Sequence, residues 1–287
     1  MKRLGFAMAV LGSSFVLQAQ EGLGEQEGFN KYSIKHIHES DIMYQKSVVR
    51  AMDLREKQNK PLFAYQQEFT KLLLDAVKEG VLTPYSTDSL DEGHVMTMQE
   101  FKDKLLVPGS DAAVEEEEDA SVADDGWGTP TKADKKEVVE EVKKGGYSFE
   151  PRDLWQLELN EDVLFDKQRS VLFYDIMSIT LFVPADHPDN LKGFQYPICT
   201  FKYKELSEKV FKDNPKAVWF NPFNDREHRN LADAFELRLF SSYLIKISNP
   251  NDEEIAETYG GDAKRGLMAS QWKSFEMLEY EHNLWEF

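Results

Sequence analysis

An α+β fold, antiparallel strands packed with long C-terminal helices, is predicted by three features of this 287-residue sequence. Ser170–Val183 (SVLFYDIMSITLFV) carries apolar residues on both faces of a period-two pattern, as a strand covered on both sides requires. Gln66–Glu79, Trp219–Pro250 and Asp262–Phe287 repeat apolar residues at the helical spacing of three and four. Between a shorter first half and a dense, strand-rich second half lies an acidic run with too few apolar residues for a core. No repeat of solenoid period is present.

In chain order, Lys2 and Arg3 precede an apolar run, Leu4 to Leu17, that ends at Gln18-Ala19-Gln20. Residues 1–19 therefore read as a secretory signal peptide, too short for a membrane span, and no cysteine follows the cut to carry a lipid. Residues 20–39 form a polar, flexible lead-in, and residues 40–106 a helical N-terminal region. Its first helix is expected over DIMYQKSVVRAMDLREK, capped by Ser40, with Ile42, Val49 and Met52 on one side. Its second spans Gln66–Glu79 with Gly80 as its stop, and Thr97-Met98-Gln99-Glu100 has the capping-box pattern that opens a third. Residues 107–146 form an acidic disordered linker: Asp111 to Asp125 holds eight acids and no base, and a frayed helix covers at most Lys135–Lys144.

Residues 147–287 form the α+β domain. LWQLEL and Asp162–Phe165 are strands, Asp166–Arg169 a turn, and Ile198–Tyr203 a strand that Pro197 confines to an edge or bulge. Glu205–Lys212 is a short helix. Ala217–Phe220 leads through an Asn/Pro turn into one long helix, capped by Asp225 and running through Leu231, Phe235, Leu239, Tyr243 and Ile247. Asn251 caps a brief helix that stops at Gly260-Gly261. Asp262 begins the last helix, whose apolar side (Leu267, Met268, Trp272, Phe275, Leu278, Trp285) is expected to dock on the core.

Composition narrows the function. A formal charge of −18 disfavours nucleic acid and anionic lipid as partners. The one cysteine, Cys199, sits among apolar residues and reads as a small buried hydrophobe. His36 and His38 form a His-x-His pair without a third ligand, so no metal or other cofactor is expected there. His187 beside Asp186 and Asp189 is better explained as an Asx/Pro turn than as an acid–base cluster. Asp175, alone on an apolar strand face, needs a partner when buried, and Arg238 is a candidate. No nucleophile-elbow, zinc-protease, P-loop or dinucleotide motif occurs, so the chain reads as a non-enzyme. The opposed readings are an exported metal-dependent hydrolase, using His187 or the His36/His38 pair, and a cell-wall-binding module using exposed tryptophans. Aromatics beside charges favour an assembly interface instead, placed at Arg226, Glu227, His228 and Arg229 and at Tyr280, His282 and Trp285.

Four long strings in order, DIMYQKSVVRAMDLREKQNKPLF, VLFYDIMSITLFVPADHPDN, NPFNDREHRNLADAFELRLFSSYLIKISNPND and GLMASQWKSFEMLEYEHNLWEF, resemble the GldN/PorN family. The resemblance covers Asp41–Phe63 and most of Leu154–Phe287, and leaves the acidic stretch unmatched. It implies a periplasmic, non-enzymatic ring subunit of the type IX secretion system and gliding machinery of Bacteroidota. The implied partners are a GldK/PorK-type outer-membrane lipoprotein, further copies in a ring, and GldL/GldM-type motor proteins. It offers no catalytic residues to carry over.

Overall fold

The computed structural model describes residues 32–35, 37–86, 90–108, 147–212 and 214–284. The expected signal peptide, most of the polar lead-in, nearly all of the acidic linker with its Lys135–Lys144 helix, and Trp285 lie outside them.

Strand β1 (Ile42–Asp53) stands where the first helix was expected. The segment alternates rather than repeating at three and four: Tyr44, Lys46, Val48, Arg50 and Met52 face one way. Asn59 follows, fully buried, its amide bridging Asp53 O (2.7 Å) and Ser241 O (2.9 Å). A minimal hairpin, β2 (Phe63–Ala64) with β3 (Gln67–Glu68), then feeds α1 (Phe69–Lys78). Helix α1 lies inside the expected span, with Phe69, Leu73, Leu74 and Val77 buried. It ends at Gly80, whose φ of 72° lies in the left-handed region that favours glycine. Helix α2 (Met98–Leu105) opens on the expected capping box, with Thr97 N donating to Glu100 Oε2 (2.8 Å) and Glu100 N to Thr97 Oγ1 (3.3 Å).

LWQLEL and the following segment are one strand, β4 (Gln156–Asp166). The Asp166 carboxylate accepts from Gln168 N (2.8 Å) to make the expected turn into β5 (Val171–Val183). Strand β6 (Tyr196–Lys202) is an edge, as Pro197 required. A short helix, α3 (Tyr203–Glu205), continues as a π-helical turn over Leu206–Phe211.

The long helix expected from Asp225 to Ile247 does not form. Its residues build β7 (Val218–Trp219) paired with β8 (Arg229–Asn230), then α4 (Leu231–Glu236), then β9 (Tyr243–Ile247). The cap is Asn230, not Asp225: Asn230 Oδ1 accepts from Ala232 N (2.8 Å). Arg238 takes a φ of 52° and ends the helix, and Tyr-Leu-Ile-Lys-Ile, rich in residues that suit a strand, pairs with β1. Helix α5 (Ile255–Thr258) is capped by Glu254 rather than Asn251, and α6 (Ala263–Leu284) closes the described chain.

The main sheet has the order β6-β5-β4-β1-β9, with each neighbouring pair antiparallel. The α+β class is therefore as the sequence indicated. The stretch expected as a separate helical region instead supplies β1, between β4 and β9 from the second half. Opposed residues of antiparallel neighbours share a face. One face thus carries Met52, Arg50, Val48 and Tyr44 of β1 opposite Leu157, Leu159, Glu161 and Phe165 of β4. Along that face lie two cores. The larger gathers Met52, Leu157 and Leu159 with Phe69, Phe211 and Phe235, the last two rings stacked at 5.9 Å. The smaller gathers Val48, Val163, Phe165 and Leu244 with Ile255, Ala269 and Met277 from α5 and α6.

Between the cores sits a buried ionic cluster. Glu161, 1 % exposed, accepts both Arg238 Nη atoms (2.9 and 3.2 Å), and Arg50 Nε lies 3.1 Å away in an ion pair whose angle falls short of a hydrogen bond. The Tyr174 ring underlies both guanidinium groups. Burial pushes Arg50 below its ordinary range and the Tyr174 phenol above its own. Arg238 is thus not the partner of Asp175. That carboxylate accepts from the Ser33 hydroxyl, because the residues just before β1 fold back over it. Both sheet edges are covered in part. Tyr85 and Thr200 exchange backbone hydrogen bonds (2.9 Å each) at β6, and Leu244 N donates to Ser270 Oγ (3.0 Å) at β9.

Candidate protein interaction surface

Helix α6 has two faces of opposite character. Gly266, Ala269, Ser270 and Met277 fall on one side and are buried. Small residues let the helix approach closely: a Cβ built on Gly266 meets Ala256 Cβ at 3.0 Å. The contact with α5 and β9 therefore uses the small residues. The large ones point away, correcting the expectation that they dock. Trp272 is 70 % exposed and Phe275 68 %, and Leu267, Met268 and Leu278 are about half or more exposed. At 3.6 residues per turn these five side chains form one stripe on the side opposite Gly266 and Met277.

Beside the helix, Tyr280 stacks on Tyr44 with ring centroids 4.7 Å apart. The pair borders a cleft of about 580 Å³ that Lys46, Tyr259 and Lys273 also line. Burial, with Tyr280 second, raises the Tyr44 phenol above its ordinary range. Tyr280 keeps 42 % of its surface exposed, and His282, two residues on and so about 200° round the helix, is exposed.

The Asp225–Arg229 cluster is not a helix start but the loop of the β7–β8 hairpin. Asn221 Oδ1 accepts from Phe223 N (3.0 Å) and Asn224 Oδ1 from Arg226 N (3.2 Å), two Asx turns in succession. His228 Nδ1 accepts from Asn221 N (3.2 Å), and its ring meets Phe220 edge-on. Arg226, Glu227 and Arg229 are exposed, and Phe223 at the tip is 96 % exposed. The two groups chosen from sequence do not coincide. The loop follows Phe220, which donates to Pro61 O beside the larger core, whereas Tyr280 and His282 belong to α6 over the smaller one.

Sequence reasoning missed Phe223 and placed the α6 stripe inside. The signal was present in the small residues Gly266, Ala269 and Ser270, which alternate in helical register with the large ones.

Of the catalytic candidates, His187 is held in a structural role. His187, 7 % exposed, places Nε2 at 3.3 Å from Asp153 Oδ1, accepts from Asp189 N at Nδ1 (3.2 Å), and packs on Phe149 and Trp155. Both its ring nitrogens are committed within the fold, and the loop is the turn that its residue types indicated. His38 is exposed and His36 is outside the described residues. Among the described residues no three His, Cys, Asp or Glu side chains gather to hold a metal ion, and no helix is long and apolar enough to cross a membrane. Cys199 is buried, and burial drives its thiol far above the usual range, so it is no nucleophile.

The family model described as gliding motility associated protein GldN matches residues 37–286. A comparison with curated proteins found no match.

Proposed function

Because this chain belongs to the GldN family of gliding-motility-associated proteins, we propose that it is a non-enzymatic, periplasmic ring subunit of the type IX secretion system. In this reading it reaches the outer membrane through a GldK/PorK-type lipoprotein and couples to GldL/GldM-type motor proteins. The observation that carries an assembly role is the bare face of α6, an aromatic stripe that marks an interaction site on an otherwise acidic protein. The β7–β8 loop supports a second contact. Phe223 offers an anchor for a partner's pocket, and Arg226 and Arg229 flank it with charge. We assign that loop to the lipoprotein and α6, with Tyr280, His282 and Trp285, to contacts between copies of the chain.

The test is affinity purification of the tagged protein from its native envelope, with mass spectrometry and negative-stain imaging. A co-purifying lipoprotein in large rings is expected. Phe223→Ala with Arg226→Ala should lower lipoprotein recovery by about tenfold or more. Recovery of the chain alone, as a monomer in every fraction, overturns the reading.

A further inference from the structure

The charges along α6 run against the helix. Lys264 and Arg265 stand in its first turn, where the dipole favours acids; Glu281 stands beside His282 in its last turn, where the dipole favours bases, and Glu276 and Glu279 lie in the turns before it. Asp262, just before the helix, offsets this only in part: its Oδ1 accepts from Lys264 N at 3.3 Å, and Arg265 lies 3.8 Å from its Oδ2. Glu279 has no ion-pair partner among the described residues. An arrangement unfavourable within one helix becomes favourable against the same helix reversed. Arg265 and Glu279 lie one heptad before and one heptad after Trp272, on the same flank of the stripe. Leu267 and Leu278 are likewise placed almost symmetrically about it.

We propose that the exposed face of α6 packs on the same face of a second copy of this chain. The two helices run antiparallel about a two-fold axis near Trp272, so that Arg265 of each copy meets Glu279 of the other. Such an isologous contact buries Leu267, Met268, Trp272, Phe275 and Leu278 of both helices at once. In antiparallel pairs like flanks meet, so both Arg265–Glu279 pairs form together. Two chains of charge −18 repel at long range, and local complementarity along α6 is what lets these faces approach. This inference rests on reading α6 as an interface within the assembly, and it names the occupant and its orientation.

The experiment is sedimentation velocity on the purified full-length chain over a concentration series. A monomer–dimer equilibrium is expected, and Trp272→Glu should raise the dimer dissociation constant by at least about tenfold. Arg265→Glu and Glu279→Arg should each weaken the dimer, while the double reversal restores it, since it re-creates complementary charges in a two-fold pair. Gln271→Cys, exposed beside the axis, should form an intermolecular disulfide on mild oxidation; the native Cys199 is buried. A chain monomeric at every concentration overturns the proposal, as does a dimer indifferent to Trp272→Glu or a double reversal no better than either single one. Envelope rings that still form with Trp272→Glu, beside a monomeric purified chain, leave the ring-subunit reading standing and remove only the two-fold pairing.

Discussion

Two buried carboxylates on the main sheet are handled in opposite ways. Glu161 has two arginines, while Asp175 has one hydroxyl, with Lys35 nearby and the like charges of Asp162 and Glu236. Burial dominates at Asp175 and raises its pKa above the ordinary aspartate range, outweighing the help from Ser33 and Lys35. The folded chain therefore holds a proton that the unfolded chain has released. Stability is lost as pH rises from about 4 through the raised pKa, then levels off. Asp175→Asn removes that loss, so urea unfolding should show the variant gaining on the parent as pH rises through this window. A difference flat with pH would contradict the raised pKa. The need for a partner at Asp175 was legible in sequence, since a lone acid on an apolar strand must be compensated. The partner's identity was not. Arg238 reaches Glu161 only because α4 ends after Glu236, and Ser33 reaches Asp175 through a segment with no local signature.

The elements that sequence placed well are those whose signals are local. The capping box before Met98, the glycine stop after α1 and the doubly apolar run of β5 require little from the rest of the chain. Strand β1 and helix α6 were misread for a shared reason. Ile42, Val49 and Met52 fit a helix, and Val48, Arg50 and Met52 fit a strand; the choice belongs to β4 and β9, which pair with the segment. In α6 the larger apolar face was assumed to be the docked one, yet close approach to Ala256 selects the face with glycine. Gly266→Val should cost about 1–3 kcal/mol in chemical denaturation, because the added atoms meet α5. Leu267→Ala, on the bare face, should stay within about 0.5 kcal/mol at concentrations where the chain is monomeric. A Leu267→Ala cost of about 2 kcal/mol or more in the monomer would mean that the helix docks the other way round.

Across the whole molecule, the α+β class was legible because strand and helix patterns both occur in the second half. The division into a helical region and a separate domain fails to capture β1, which lies between β4 and β9 and places its residues in both cores. Residues 147–287 produced alone should therefore lack a cooperative unfolding transition, and adding residues 32–108 in trans should restore one. Cooperative unfolding of 147–287 by itself would contradict this. The same placement sets a schedule during synthesis. Strand β1 precedes its partners by a long way: Met52 waits for Leu157, and Val48 waits for Ile247. The sheet closes only once β9 is in place beside β1, a pairing of high sequence separation, so folding is slow. Until then β1 stands as an open edge that a holding chaperone could cover.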